Sequence, residues 1–427
     1  MVNQQHHFSR SLLKKAISVT LVLTILLSMV IIGNVFGTAA FAAEGDYTYS
    51  VLSDGTAKIT KYSGTDSNVT VPAALGGVNV SEIGEKAFQD NDEIESVIIS
   101  DGIKTIGTSA FADCDMLESI EFSPSVETIG KEAFRNCRSL QAVDIPSTVN
   151  TIEEKAFSAC PILGTVTLHE GLEKMGSRFI AGTVVSEIYI PTTVTNSNES
   201  FAETELLETV IFGEGITEIP RDMFEENNSL RTLTIPDTVT KIGDDAFCLM
   251  KSLESIEFPD NVTELGTYIC YQDPKLTKVT FGSGLTSIPD SAFEQCTSLK
   301  EVTVPANISA IKNFAFKDCS KLEKVTFNEG LTAIGSYSFE RTAVNEITLP
   351  ASLQTGSYAF KSCPSLKTVN FADGTTKLIE GLLQESAVES LTIPEGLTEI
   401  PSHLCYGCKK LTTISLPSTL RHTFSFF

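Results

Sequence analysis

The chain has 427 residues, a formal charge of −23 at pH 7, 42% hydrophobic residues and no Trp. Asp and Glu number 54 against 31 Lys and Arg, and such an excess of acid repels nucleic acid and anionic lipid. The hydrophobic content excludes a disordered acidic tail. Because the sequence has only one long apolar run, a multi-span membrane protein is excluded as well.

The first 43 residues have the pattern of a secretory signal peptide. Basic residues precede an apolar stretch, Ala16–Ile32, and small residues follow at Thr38–Ala43, which is the order that a signal peptidase substrate needs. We expect cleavage after Ala42 or Ala43, so that the mature chain is secreted or lies at the cell surface without a membrane span. The alternative is an uncleaved N-terminal anchor, because the apolar stretch could just cross a bilayer.

A 23-residue repeat runs through the rest of the chain. The motif Ile-Gly-x-x-Ala-Phe occurs at Ile83–Phe88 and returns at 106–111 and 129–134. Its last position, here called the anchor, recurs in eleven steps of 23 residues, two of 21 and one of 22. The fifteen anchors are Phe88, Phe111, Phe134, Phe157, Ile180, Phe201, Phe224, Phe247, Cys270, Phe293, Phe316, Phe339, Phe360, Leu383 and Cys405.

Each repeat contains one short strand and at least two corners. Alternating apolar residues that end in Pro, as in Leu140–Pro146, predict a strand that stops where Pro cannot donate a hydrogen bond. In the segment that follows, as in Val239–Gly243, the Gly predicts a tight corner. No repeat can bury its apolar residues alone, but stacked repeats cover one another. The sequence therefore predicts a mainly-β repeat solenoid of about fifteen 23-residue coils.

The strand joined to Val-x-x-Ile-Gly-x-x-Ala-Phe-x-x-Cys resembles the BspA-type class of leucine-rich repeats, over roughly residues 80 to 420. Tyr49–Tyr62, with Asp54-Gly55 as its turn, resembles the N-terminal entry hairpin of that class and would cap the first coil. The resemblance implies a non-catalytic surface or secreted protein that adheres to a protein or glycan.

Four segments are expected from these features: a signal peptide at 1–43, a capping hairpin at 44–79, a leucine-rich repeat solenoid at 80–422, and an irregular or truncated tail at 423–427. A sixteenth repeat starts at Leu411–Pro417, but Thr423 stands where Ile is expected. The sequence fits either a piece of a longer protein or a natural end.

Seven of the ten cysteines lie three residues after an anchor: Cys114, Cys137, Cys160, Cys296, Cys319, Cys363 and Cys408. Equal spacing predicts a row of buried thiols that face inward. A disulfide framework is the alternative for a secreted chain, but Cβ atoms on neighbouring coils would lie about 4.8 Å apart, outside the usual range for a disulfide. Cys405–Cys408 also has the C-x-x-C form of a redox or metal half-site, although its two cysteines fill an anchor and a row position.

The sequence contains no recognisable catalytic or cofactor motif. After residue 43 the histidines are His169, His403 and His422, and none is spaced with another His or a Cys pair for zinc. G-x-S-x-G and Walker A motifs are missing as well. We therefore expect no enzymatic activity, no cofactor and no metal site.

The middle residue of each strand should point away from the core, and threonine is the commonest residue there. Because Thr packs well on a solvated sheet, the row fits either a structural role or a recognition surface. Tyr189 and Ile211 are adjacent apolar exceptions, and exposed apolar spots often mark contacts. The candidate ligand-contact residues are Tyr189, Ile211, Thr234, Thr280, Thr303, Thr326, Thr348 and Thr392.

Two functions are consistent with this sequence. The first is a binding protein that adheres to a protein or glycan on host or bacterial surfaces. The second is a passive spacer or coat component that carries a module beyond the C-terminus. An ice-binding threonine array is disfavoured because regular Thr-x-Thr pairs are lacking.

Overall fold

The structure is a computed structural model that describes residues 44–423. One short strand per coil forms the first side of the solenoid, where alternating apolar residues point inward. These strands are β3 (Asn68–Val71), β6 (Ser96–Ile99), β8 (Ser119–Glu121), β10 (Ala142–Asp144), β12 (Thr165–Thr167), β14 (Glu187–Ile190), β16 (Thr209–Phe212), β19 (Ser255–Glu257), β21 (Lys278–Thr280), β23 (Glu301–Val304), β25 (Lys324–Phe327), β27 (Glu346–Leu349), β29 (Thr368–Phe371), β30 (Ser390–Thr392) and β32 (Thr413–Ser415).

The Val-x-x-Ile segment of each coil forms a second side, made of two-residue strands. They are β7 (Thr105–Ile106), β9 (Thr128–Ile129), β11 (Thr151–Ile152), β13 (Lys174–Met175), β15 (Asn196–Ser197), β17 (Glu218–Ile219), β18 (Lys241–Ile242), β20 (Glu264–Leu265), β22 (Ser287–Ile288), β24 (Ala310–Ile311), β26 (Ala333–Ile334), β28 (Thr355–Gly356), β31 (Glu399–Ile400) and β33 (His422–Thr423). Pairing between successive coils is parallel on both sides, and equivalent residues lie opposite each other, as Ile106 does to Ile129.

The corners of the third side are made by residues with left-handed backbone, two positions before and two after the anchor. Around Phe134 they are Glu132 (φ 54°) and Asn136 (φ 60°). The N–H groups of Glu132, Phe134 and Asn136 donate to carbonyl groups of the next coil at 2.9, 2.7 and 2.9 Å. Left-handed backbone is costly for residues other than glycine, and these inter-coil hydrogen bonds offset that cost.

The prediction that Gly makes the tight corner after Ile is wrong. Gly107 and Gly130 are not among the residues with positive φ, whereas Ser109, two residues further on, has φ 52°. A Cβ on Gly107 would lie 2.7 Å from the carbonyl oxygen of Ile83 in the preceding coil. Gly is therefore needed at this position because neighbouring backbones approach closely, and the corner itself is formed by other residues.

A column of anchor side chains fills the centre of the solenoid. Phe111, Phe134 and Phe157 are fully buried, and their rings stack at centroid distances of 5.2 and 5.1 Å within 3° of parallel. The column is interrupted where Ile180 and Cys270 replace Phe. The predicted mainly-β solenoid is confirmed, with about sixteen turns of roughly 23 residues.

An antiparallel hairpin precedes the first coil. After a short 3-10 helix (Glu44–Asp46), β1 (Tyr47–Val51) pairs with β2 (Ala57–Tyr62), and β2 pairs in parallel with β5 (Val78–Ile83). The remaining strand, β4 (Ala74–Leu75), pairs antiparallel with β5. Since the Tyr62 ring stacks on Phe88 at 5.0 Å, the hairpin continues the central column. That it caps the solenoid stays a prediction, as do the four segment boundaries.

Candidate binding face

The outward residues of the first side form the candidate binding face, defined by the middle positions of its strands. Each of the eight candidate contact residues is exposed or half-exposed. Register places Thr303 opposite Thr326, and Thr348 opposite Asn370. Their outward orientation agrees with the alternation of the strands, and a role in ligand contact remains a prediction.

Tyr189 and Ile211 lie directly opposite each other on β14 and β16, as the repeat spacing indicates. The Tyr189 hydroxyl donates a 2.7 Å hydrogen bond to Glu170, whose carboxylate also accepts from the backbone and side chain of Thr192. Partial burial, together with the Glu170 carboxylate, raises the pKa of Tyr189 to about 12. The ring is thus held in place by its hydroxyl, and part of it stays exposed beside Ile211.

The binding face opens into a hollow where two strands separate. Between β25 and β27 only Lys324 and Glu346 pair, and a hollow of about 490 Å³ lies there, lined in part by Thr326 and Thr348. A peptide side chain or a sugar residue could enter this hollow. It joins two of the predicted contact residues in one concave surface.

An inner row of side chains, three residues after each anchor and mostly small or polar, faces the core. All ten cysteines, which lie between residues 114 and 408, are unpaired, as the prediction of buried thiols requires. Within the row, Cys137 donates to the carbonyl oxygen of Phe111 at 3.2 Å and Cys160 to that of Phe134 at 3.2 Å. Burial raises the pKa of the Cys114 thiol to about 12. Thiols held in this way are structural and weakly nucleophilic.

The Cys405–Cys408 motif follows the same plan. Cys405 is buried at an anchor position, and Cys408 lies 2.9 Å from the carbonyl oxygen of Leu383, so each fills its repeat position. A hydrogen bond from Cys405 lowers the pKa of the Cys408 thiol to about 7. Among residues 44–423 no cluster of three or more His, Cys, Asp or Glu could hold a metal ion.

Asp273 takes a position in the inner row that a Cys fills in the next two coils. Its side chain is fully buried, one carboxyl oxygen accepts a 2.7 Å hydrogen bond from the backbone of Met250, and the other has no partner. Burial raises the pKa of Asp273 well above its usual range. Sequence reasoning missed this residue, although an acid in a row otherwise made of Cys, Thr, Ser, Asn and Met could have indicated it.

Acidic side chains also accumulate on the third side between residues 199 and 245. Burial, followed by the charges of Asp222, Glu199 and Asp245, raises the pKa of Glu225 to about 7. Arg178 counters part of this charge through ion pairs with Glu199, Glu203 and Glu226. These side chains come from four successive coils, so their proximity follows from the 23-residue stacking.

Two surface features were not found from the sequence. One is a stack of half-exposed rings on the third side, Phe314, Tyr337 and Tyr358, at 5.7 and 5.5 Å. The other is an exposed aliphatic group, called here the apolar stripe and formed by Ile162, Val184 and Leu206 in successive coils. The stacked rings lie two residues before successive anchors, and the apolar stripe lies one residue before the first apolar residue of each strand segment, so counting along the repeat would have shown both.

The family model for the BspA-type leucine-rich repeat region matches residues 81–208, 197–300 and 332–426, in six copies. The chain belongs to this family. No curated protein matches its sequence. The membership confirms the resemblance seen in the strand and corner motifs, and leucine-rich repeat folds of this kind are typically non-catalytic.

Solved structures of bacterial leucine-rich repeat proteins resemble the chain. One, from Bacteroides ovatus, has 22% identity and a TM-score of 0.58, covering 88% of this chain and 94% of its own. A leucine-rich cell surface protein from Faecalibacterium prausnitzii has 27% identity and a TM-score of 0.40, covering 78% of this chain and 94% of its own. The pneumococcal vaccine antigen PcpA has 18% identity and a TM-score of 0.49, covering 81% of this chain and all of its own.

The model of secretion rests on residues 1–43, which lie outside the described part of the chain. Within residues 44–423 no helix has both the length and the apolarity needed to cross a bilayer.

Proposed function

We propose that the protein is secreted or displayed at the cell surface and binds a protein or glycan on host or bacterial surfaces through the binding face. The family supports a protein-binding or surface role. The sequence of the first 43 residues supports export. In this proposal the protein acts without catalysis or a cofactor.

The observation that carries the proposal is the placement of Tyr189 beside Ile211. Both side chains are half-exposed on a face that is otherwise mostly threonine and charge, and the Tyr189 ring is fixed by its hydrogen bond to Glu170. A rigid aromatic ring with an aliphatic neighbour loses little conformational entropy on contact, so it suits the centre of an interface. The polar threonines around it would form the rim.

A pull-down of the purified protein with intact host cells, extracellular-matrix proteins and bacterial cells tests this function. The double variant Tyr189→Ser/Ile211→Ser should lose most of the saturable binding that the unchanged protein shows, because truncating a central contact commonly costs more than about 1 kcal/mol. The control is Val51→Ser/Leu416→Ser, which removes two other exposed aliphatic side chains and should bind as the unchanged protein does.

Circular dichroism must show that both variants keep the fold. If the protein binds none of these surfaces, the proposal fails and the passive spacer is favoured. If it binds and the Tyr189/Ile211 variant binds equally well, the binding face at β14 and β16 is not the contact.

A further inference from the structure

The apolar stripe has no structural reason to be apolar. Ile162, Val184 and Leu206 are 49%, 38% and 49% exposed, in the loops that lead into β12, β14 and β16. At the equivalent position, later coils of the same solenoid carry polar residues, such as Ser229, Ser252, Lys275, Ser298 and Lys321, or the small residues Ala343 and Ala387. The fold therefore accepts Ser or Lys at this position, and large aliphatic side chains there expose apolar surface to water at a cost.

Three consecutive coils place these side chains next to one another. Successive coils pair in parallel register, as Glu187 does with Thr209, so equivalent loop residues follow the same spacing of about 4.8 Å. A Cβ on Gly164 would lie 3.8 Å from a Val184 methyl group, so Val184 packs over the preceding coil. The three exposed side chains therefore occupy equivalent loop positions of three successive coils.

Unpaired acids lie within three residues of Val184 and Leu206 in the sequence. Glu187, Glu205 and Glu208 are exposed, and none of them forms an ion pair with a residue in the described part of the chain. Between residues 160 and 214 eight acidic residues stand against Lys174 and Arg178, a net charge of −6. An aliphatic centre with an acidic rim is complementary to a polypeptide with apolar residues flanked by Lys or Arg.

We propose that the apolar stripe is a docking site for a basic amphipathic segment of a partner protein. This inference rests on the proposed binding function and names a second contact and the chemistry of its partner. A second copy of the chain is a poor occupant, because two molecules of charge −23 repel each other. The stripe and the Tyr189–Ile211 pair lie on the same coils, so one partner could contact both.

Titration of the purified protein with a synthetic amphipathic helix of Leu and Lys tests the docking site. Fluorescence anisotropy of the labelled peptide should show saturable binding, which the variant Ile162→Ser/Val184→Ser/Leu206→Ser weakens by about tenfold or more. Reversal of the rim charges, Glu187→Lys/Glu205→Lys/Glu208→Lys, should weaken it to a similar extent and reduce its salt dependence.

The matched control is Met116→Ser, which removes a 45% exposed side chain at the same position of an earlier coil and should leave binding unchanged. A Ser/Lys peptide of equal charge and a Leu/Glu peptide should both bind at least about tenfold more weakly. Equal binding of the Ser/Lys peptide, or full binding by the triple Ser variant, would overturn the proposal. Light scattering that shows a dimer which the triple Ser variant abolishes would overturn it too, in favour of self-association.

The two proposals fail separately. Loss of cell or matrix binding in the Tyr189/Ile211 variant, together with unchanged peptide binding in the triple Ser variant, would leave the proposed function intact and reject the docking site. Peptide binding that depends on the stripe, without binding to any cell, matrix protein or bacterium, would support the docking site and reject the proposed function.

Discussion

Two regions of the solenoid differ in how regularly they repeat. In coils 83–157 the anchors are all Phe, the rings stack nearly in parallel, and three successive members of the inner row are Cys. In coils 175–273 the column is broken at Ile180 and Cys270, and one coil is 21 residues long. The inner row of this irregular region is Thr183, Thr204, Asn227, Met250 and Asp273.

The irregular region contains most of the features that packing does not explain. The Tyr189–Ile211 pair, two of the three residues of the apolar stripe, the acids around Glu225 and the partner-less oxygen of Asp273 all lie there. In repeats that match the consensus, the side chains find their partners within the stack. Repeats that depart from the consensus leave side chains available for contact with other molecules. Substitutions in each region can test this difference.

The largest effect is expected for Phe134→Ala in the regular region. Phe134 is fully buried between two parallel rings, and its removal leaves a cavity that should lower the free energy of unfolding by about 4 kcal/mol. Phe134→Leu should cost about half as much, since Leu383 fills the equivalent place. Urea unfolding followed by circular dichroism measures both, and an equal loss in the two variants would contradict the cavity argument, because the Leu side chain would then recover none of the lost packing.

A smaller change in the free energy of unfolding, this time an increase, is expected for Asp273→Asn in the irregular region. The pKa of Asp273 is raised by burial, so the folded protein binds a proton that the unfolded chain releases above about pH 4. The stabilisation that the Asp273 carboxyl group contributes is fully present below that pH, and it is lost as the pH rises through the pKa of the folded state. Asn cannot ionise, so the variant should be more stable by about 3 kcal/mol at pH 8 and nearly unchanged at pH 4. A variant of unchanged stability at pH 8 would mean that the carboxyl group is solvated.

The smallest effect is expected for Glu225→Gln. The pKa of this group is raised to about 7, so its contribution to stability is present below about pH 4.5 and is lost between that pH and about 7. Because the side chain is only half-buried, the gain at pH 8 should be about 1 kcal/mol. Thermal unfolding at pH 4 and pH 8 gives the difference, and Glu173→Gln, which lies outside the acidic group, serves as the control. A gain of equal size at both pH values would assign the effect to something other than ionisation.

Much of the fold follows from the sequence because a solenoid depends on local periodicity. The anchors, the strands and the inward direction of the Cys row can be read from residues spaced 23 apart. The adjacency of Tyr189 and Ile211, which are 22 residues apart, follows from their equal distance from Val185 and Leu207. The role of the repeat Gly could not be read in this way. A close backbone contact, such as that of Gly107 with Ile83, depends on how tightly the coils stack, and the sequence of a single repeat does not show this.

The surface was harder to predict than the core. Threonine at strand centres indicated an outward face, but the apolar stripe lies in loops whose length changes by one residue between coils. Asp273 was missed for a related reason, since its burial depends on the coils on either side. The features that the sequence did not predict therefore depend on contacts between coils that differ from the consensus.

The most direct test of the account compares binding by two double variants, one in each kind of region. Tyr189→Ser/Ile211→Ser alters the irregular coils, and Thr303→Ser/Thr326→Ser alters coils with stacked Phe anchors and a Cys row. Saturation binding of the full chain to intact host cells and immobilised matrix proteins should be lost in the first variant and kept in the second. Loss in the second with retention in the first would contradict the account and assign recognition to the regular threonine row.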